Sequence, residues 1–268
     1  MDRKQMLSIG LFIILVVSIL GFTKEVMKGI NEINQFRELS ESVKSNLSDE
    51  ETVINLLEID TVTTEETINQ LEVLQEYQEL YEENKDLAGW ITIEETQLNY
   101  PVMFTPNNPE FYLHRAFDGS RSTSGVPFIG KGCGLVPRTD NIIIYGHNMK
   151  NGTMFSRLLS YKDEKFWEQH STIQFNTLYE TATYIILAAF NIDVTLDNGH
   201  FEFYNSTDFE TEEEYTTFVK ECKQQSIYDT GLTAEKGDFL ITLVTCSYHS
   251  QNGRFVVVAK KLDINEQH

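Results

Sequence analysis

The sequence predicts a mainly β chain whose strands close into a barrel, preceded by a helical N-terminal part. From Trp90 onward, short runs rich in Val, Ile, Thr and aromatic residues recur between turn signals, about eight or nine in all. Among them helical spacing returns in only two insertions. Between about Val26 and Glu83 the period is instead helical, polar and acidic. Many short strands with few helices leave edges that a closed or nearly closed β-barrel removes.

The elements follow in order. Arg3 and Lys4 precede an apolar run from Leu7 to Phe22, with Lys24 and Lys28 behind it. As a helix its 16 residues rise about 24 Å, slightly short of a bilayer core, so Met6 and snorkelling lysines complete the span. A cleaved signal peptide and a retained signal-anchor both begin this way. Leu20, Gly21 and Phe22 make a poor small-x-small cleavage site, which favours the anchor, with Arg3, Lys4 and the N-terminus inside and the rest outside. Residues 1–30 are thus read as a cytoplasmic tip and transmembrane segment, and residues 31–86 as an acidic helical stalk. In that stalk Leu71, Leu74, Tyr77, Gln78 and Tyr81 recur near helical spacing, and Thr64 with Glu66 and Thr67 supplies a start signal.

The third segment, residues 87–268, is read as the barrel. Its expected strands are 90–93, 98–103, 126–129, 141–145, 172–175, 182–194, 200–204, 239–246 and 255–262. One helical insertion covers Met154 to Gln169. The other, Asp208 to Gln225, places Phe209, Tyr215, Phe218, Val219 and Cys222 near one face, and its early glutamates suit the positive end of the helix dipole.

Composition sets further bounds. A chain of 268 residues with 41% hydrophobic residues can bury a sizeable core. The formal charge of −20 argues against a nucleic-acid partner, which needs a basic face. The three cysteines, Cys133, Cys222 and Cys246, leave at least one thiol unpaired in an exported protein, and a Cys133–Cys222 disulfide stays open. No CxxC spacing suggests a zinc site.

Three motifs carry chemistry. Thr242-Leu243-Val244-Thr245-Cys246 ends an apolar strand on a cysteine, and Gly253-Arg254 opens the next strand. About a hundred residues upstream lies Tyr145-Gly146-His147-Asn148-Met149. A thiolate attacks an amide carbonyl, an imidazole protonates the departing amine, and a guanidinium braces the substrate backbone or the oxyanion. Taken singly, each residue is more often a small buried hydrophobe, a satisfied polar group or a solvated cation.

Together and in this order the motifs resemble the sortases, class B above all, over roughly Trp90 to Leu262. The long helix ahead of the cysteine strand is the main reason for that class. The resemblance implies an eight-stranded sortase barrel with N-terminal helices and this helical insertion. It implies Cys246 as nucleophile, His147 as its imidazole partner and Arg254 as the group that positions substrate. It also implies Leu113, Tyr204 and Thr245 on the substrate-binding face. His249, close to Cys246 in sequence, is the competing imidazole, whereas His114, His170 and His200 have no motif context. Some class B members carry an acidic residue directly after the cysteine; here Ser247 stands there, so any contact through such a carboxylate is in doubt.

The activity implied is a membrane-anchored transpeptidase on a Gram-positive surface. It would cleave a C-terminal sorting signal of the Asn-Pro-X-Thr-(Asn/Gly) kind after Thr, through a thioester, and join the protein to a peptidoglycan cross-bridge amine. A pilin lysine as acceptor, or water in a surface cysteine endopeptidase, uses the same residues. The partners implied are surface proteins bearing the signal, the cross-bridge amine and the membrane; no metal or organic cofactor is required.

Overall fold

The computed structural model describes residues 3–46, 72–194, 201–247, 250 and 252–263. The chain divides into two compact units, Met1–Ser42 and Val43–His268. The first unit is helical: α1 runs over Arg3–Asn46, and its large apolar side chains, among them Phe12, Ile14, Leu20 and Phe22, are exposed. Among the described residues no helix is long and apolar enough to cross a membrane. The expected start signal at Thr64 and Glu66 lies outside the described residues.

The second unit is a closed barrel of eight strands: β1 (Leu87–Thr92), β2 (Asn99–Met103), β3 (Phe128–Ile129), β4 (Asn141–Tyr145), β5 (Thr172–Thr177), β6 (Thr183–Asp193), β7 (Leu240–Cys246) and β8 (Gly253–Lys261). Around the barrel the order is β1-β2-β3-β4-β7-β8-β6-β5, returning to β1. Neighbours are antiparallel except β2 with β3 and β4 with β7. Ahead of β1, helix α2 (Gln75–Glu83) buries Tyr77 and Leu80. It is tied to the barrel where the Leu74 amide donates to the Leu178 carbonyl at 2.7 Å.

The parallel pair β4–β7 matters most for function. Ile142, Ile143 and Ile144 in β4 and Leu240 through Val244 in β7 are buried without alternation. Continuous burial is the signature of strands covered on both faces. The outer cover of β6, β7 and β8 includes a 3-10 segment, Phe155–Lys162, in which Phe155, Leu158 and Tyr161 are fully buried.

Two expected elements differ. The single helix over Met154 to Gln169 is broken: the 3-10 segment ends at Asp163, whose extended backbone (φ −99°, ψ 116°) starts a separate helix α3 (Glu164–Gln169). Its carboxylate caps that helix by accepting from the Lys165 amide at 3.1 Å. The strand expected over 200–204 is instead a 3-10 turn, Phe203–Asn205. Its aromatics are recruited to a cluster, not a ladder: Phe201 lies 6.3 Å from Phe190 and 5.6 Å from Phe218, centroid to centroid. Helix α4 (Glu212–Gln225) completes this cluster. It opens with a capping box in which the Glu214 amide donates to Thr211 Oγ1 and Glu214 reaches back to the Thr211 amide, both at 3.2 Å. Glu214 is thereby accounted for.

Candidate active site

The barrel brings the three motifs to one rim. The β4–β7 ladder ends at Tyr145 opposite Val244, sealed where the Gly146 amide donates to the Val244 carbonyl at 3.1 Å. His147 and Cys246 each lie two residues beyond that last pair, at the same end of neighbouring parallel strands. Across the other edge of β7, Cys246 is the register partner of Arg254 in β8. Opposed residues of an antiparallel ladder present their side chains to the same face.

The cysteine is where β7 leaves the core. Six buried residues precede it, and Cys246 is the first with partial exposure. Its flanks are fixed on every side. Thr245, 2% exposed, donates its hydroxyl to the Gly146 carbonyl at 2.8 Å, tying the cysteine strand to the histidine loop. The Asn148 amide nitrogen donates to the Cys246 carbonyl at 2.9 Å. The buried Ser247 donates its amide to the Gly253 carbonyl and its hydroxyl to Asn191 Oδ1, both at 2.9 Å, and accepts from Lys162 Nζ at 3.4 Å. The position directly after the cysteine is thus held by a neutral, internally bonded serine.

All three cysteines are free. Burial pushes the Cys133 thiol up to about 11 and raises Cys222 well above the ordinary range. Both are sealed in the core as protonated thiols, which neither attack nor ligate. Cys246 alone of the three is open to solvent.

His147 sits on a short loop closed on itself. Its carbonyl accepts from the Phe155 amide at 2.9 Å, and Asn148 bridges Met154. Gly146 is required by a close approach: a Cβ there would lie 2.5 Å from Cγ of the fully buried Phe155 ring. The ring's Nε2 is 2.8 Å from the Leu113 carbonyl. A carbonyl only accepts, so Nε2 carries the proton, and Nδ1 of the neutral ring is the nitrogen left to exchange one. Burial pulls the imidazole below its ordinary range, the Leu113 carbonyl opposes this, and the neighbouring His114 adds to it. The neutral ring is therefore favoured near neutrality, and the imidazolium is a minority form.

Arg254 is half-buried and donates to its neighbour's Gly253 carbonyl at 3.0 Å. Among the described residues no carboxylate pairs with it, so the rest of its fork can receive a carbonyl or an oxyanion. Leu113 is half-buried and contributes its carbonyl to His147. Tyr204 is half-buried on the turn after Phe203.

Two residues belong to this rim to which sequence reasoning gave no role. His114, which has no motif context, is exposed and stacks on His147 with ring centroids 5.4 Å apart and planes 23° apart. Its adjacency to Leu113 was the available signal. Tyr145 precedes His147 by two residues on the same strand line and stacks on Phe128 at 5.8 Å. Burial and Cys133 push its phenol up, to about 12, with Arg254 opposing and Glu110 and Tyr204 adding. His170, by contrast, ends α3, and its carbonyl accepts from the Tyr161 hydroxyl at 2.8 Å. His200 and His249 lie outside the described residues. Among the described residues no group of three or more His, Cys, Asp or Glu side chains could hold a metal ion.

Known proteins match this arrangement. The sortase domain family model matches residues 91–262. Sortase B of Staphylococcus aureus is 32% identical over 199 residues, 74% of this chain and 79% of that protein. Sortase B of Listeria monocytogenes is 32% identical over 191 residues, 70% of this chain and 75% of that protein. In three dimensions, a S. aureus sortase B structure superposes with a TM-score of 0.72 at 28% identity, covering 89% of this chain and 99% of its own. A Bacillus anthracis sortase B structure gives 0.70 at 26%, covering 88% and 99%. With its closed eight-stranded barrel and the cysteine, histidine and arginine motifs in order, the chain belongs to the sortase family, class B, and is a cysteine transpeptidase.

Proposed function

We propose that this transpeptidase cleaves a C-terminal sorting signal of the Asn-Pro-X-Thr-(Asn/Gly) kind after Thr and joins the freed end to a peptidoglycan cross-bridge amine. The observation that carries the reading is the register pair Cys246–Arg254 beside the loop that holds His147. The Cys246 thiolate attacks the threonine carbonyl, and Arg254 braces the oxyanion that forms. Protonated His147 gives its Nδ1 proton to the departing amine as the C–N bond breaks, leaving a thioester and a neutral imidazole. An incoming amine then attacks the thioester carbonyl, loses its proton to Nδ1, and expels the thiolate with a new amide in place. Each proton taken is returned, so one imidazole serves both halves.

Leu113 and Tyr204 line the substrate groove in this reading, and Thr245 holds the cysteine strand against the histidine loop beneath it. Support for peptide and amine as substrates comes from relatives: one S. aureus structure is a sortase B–substrate complex, and another sortase B is complexed with triglycine, which offers a terminal amine. Surface proteins bearing the signal are the corresponding partners. In this reading the apolar segment 7–22 holds the enzyme at the membrane. Its 16 residues are shorter than a bilayer core of about 30 Å, so Met6 and the flanking lysines share the anchoring.

The test is a library of quenched sorting peptides, with and without amine acceptors, read by product mass. Cleavage after Thr with amine-dependent ligation is expected. Ligation only to a lysine side chain would move the enzyme to pilus assembly. Hydrolysed product alone, whatever amine is offered, would make it an endopeptidase.

A further inference from the structure

We propose that Tyr100, on β2, is a positioning residue for His147 and acts through a lock on the backbone of Met154. Met154 is one of two non-glycine residues with positive φ among the described residues (φ 56°, ψ −136°). For a side chain with a Cβ this conformation is strained and persists only where the surroundings enforce it. Here they do: Met154 is 2% exposed, and its amide donates to the Tyr100 hydroxyl at 3.0 Å.

What the strained residue delivers is the histidine loop. The next amide, of Phe155, donates to the His147 carbonyl, and the Phe155 ring packs closely on Gly146. Met154 itself bridges Asn148, whose side chain holds the Cys246 carbonyl. One phenol, 5% exposed and drawn from a strand that does not neighbour β4, thus fixes the turn on which both the imidazole and its link to the cysteine depend. Without the hydroxyl the Met154 amide is buried with no acceptor, and the strained turn loses what enforces it.

The inference rests on the reading of His147 as the proton donor, and its test separates the two. Tyr100→Phe and His147→Ala are assayed beside wild type on a quenched Asn-Pro-X-Thr-Asn peptide with an amine acceptor. Tyr100→Phe is expected to lower kcat about 10- to 100-fold, the penalty for an ångström-scale misplacement, while KM stays within about twofold. The His147 Nε2–H resonance, slowed in wild type by the Leu113 carbonyl, should broaden or vanish in Tyr100→Phe. A Tyr100→Phe kcat within about twofold of wild type, or an unchanged His147 resonance, overturns the lock. If His147→Ala retains activity, the proton-donor reading falls; if it is dead while Tyr100→Phe is fully active, only the lock falls. Should Tyr100→Phe fail to fold, hydrogen exchange on wild type decides: the Met154 amide should exchange at least about a thousandfold slower than an open chain, and exchange at the open-chain rate contradicts the proposal.

Discussion

Replacing Gly146 by Ala probes the join between barrel and site with one methyl group. The added Cβ would stand 2.5, 2.7 and 2.9 Å from Cγ, Cδ2 and Cδ1 of Phe155. Carbon atoms in good contact lie about 3.5–4.0 Å apart, so the ring or the loop must retreat by about 1 Å. The ring cannot: Phe155 is 0% exposed and packed against the barrel. Overpacking of this kind costs about 1–3 kcal/mol, and the loop takes up the shift. His147 then moves, because its carbonyl is bonded to the Phe155 amide and the next residue to Cys246. A displacement of about 1 Å between reacting groups costs about a hundredfold in rate. Peptide-to-amine transfer should therefore fall about 30- to 100-fold while the unfolding free energy from urea titration drops by only about 1–3 kcal/mol. Transfer within about threefold of wild type would refute the close coupling of Phe155, Gly146 and His147.

Other substitutions test separate parts. Arg254→Lys replaces a planar fork by a point charge and should lose at least about 90% of kcat/KM in the same transfer assay; near-full activity would make Arg254 a structural residue. His114→Ala removes a neighbour that lowers the His147 pKa, so His147 should hold its proton to higher pH. The descending, alkaline limb of the kcat/KM profile must then move up in pH, and a shift downward or none would remove His114 from the site. Iodoacetamide on the native enzyme should modify Cys246 alone, since Cys133 and Cys222 are buried thiols with raised pKa; tryptic mass mapping with label on either of those in the native state would contradict the burial.

The sequence and the structure agree where local signals are strong. Ile142-Ile143-Ile144 and Leu240 to Val244 are uninterrupted apolar runs, and both became strands buried on both faces. Asn141–Tyr145 was legible to the residue, because turn signals bound it at each end. Order along the chain also identified the rim, since a cysteine closing β7 and an arginine opening β8 must meet across a hairpin. Illegible were features made by tertiary contact. Phe201 and Phe203 read as strand residues until the aromatic cluster with Phe190 and Phe218 took them. Asp163 broke a helix that its neighbours favoured, because its carboxylate caps the following piece. His114 carried no motif, and only the fold sets it on His147; Tyr100 and Met154 lie 54 residues apart and meet through one hydrogen bond.

The central claim is that Cys246 carries the peptide as a thioester. Intact mass spectrometry of the enzyme, quenched in acid within seconds of mixing with a sorting peptide and no amine, tests it most directly. The account predicts an adduct equal to the peptide up to and including its Thr, localised to Cys246, discharged by added amine and absent from Cys246→Ala. An adduct that persists in Cys246→Ala, or turnover by that variant above about a thousandth of wild type, about 4 kcal/mol of lost transition-state stabilisation, would contradict it.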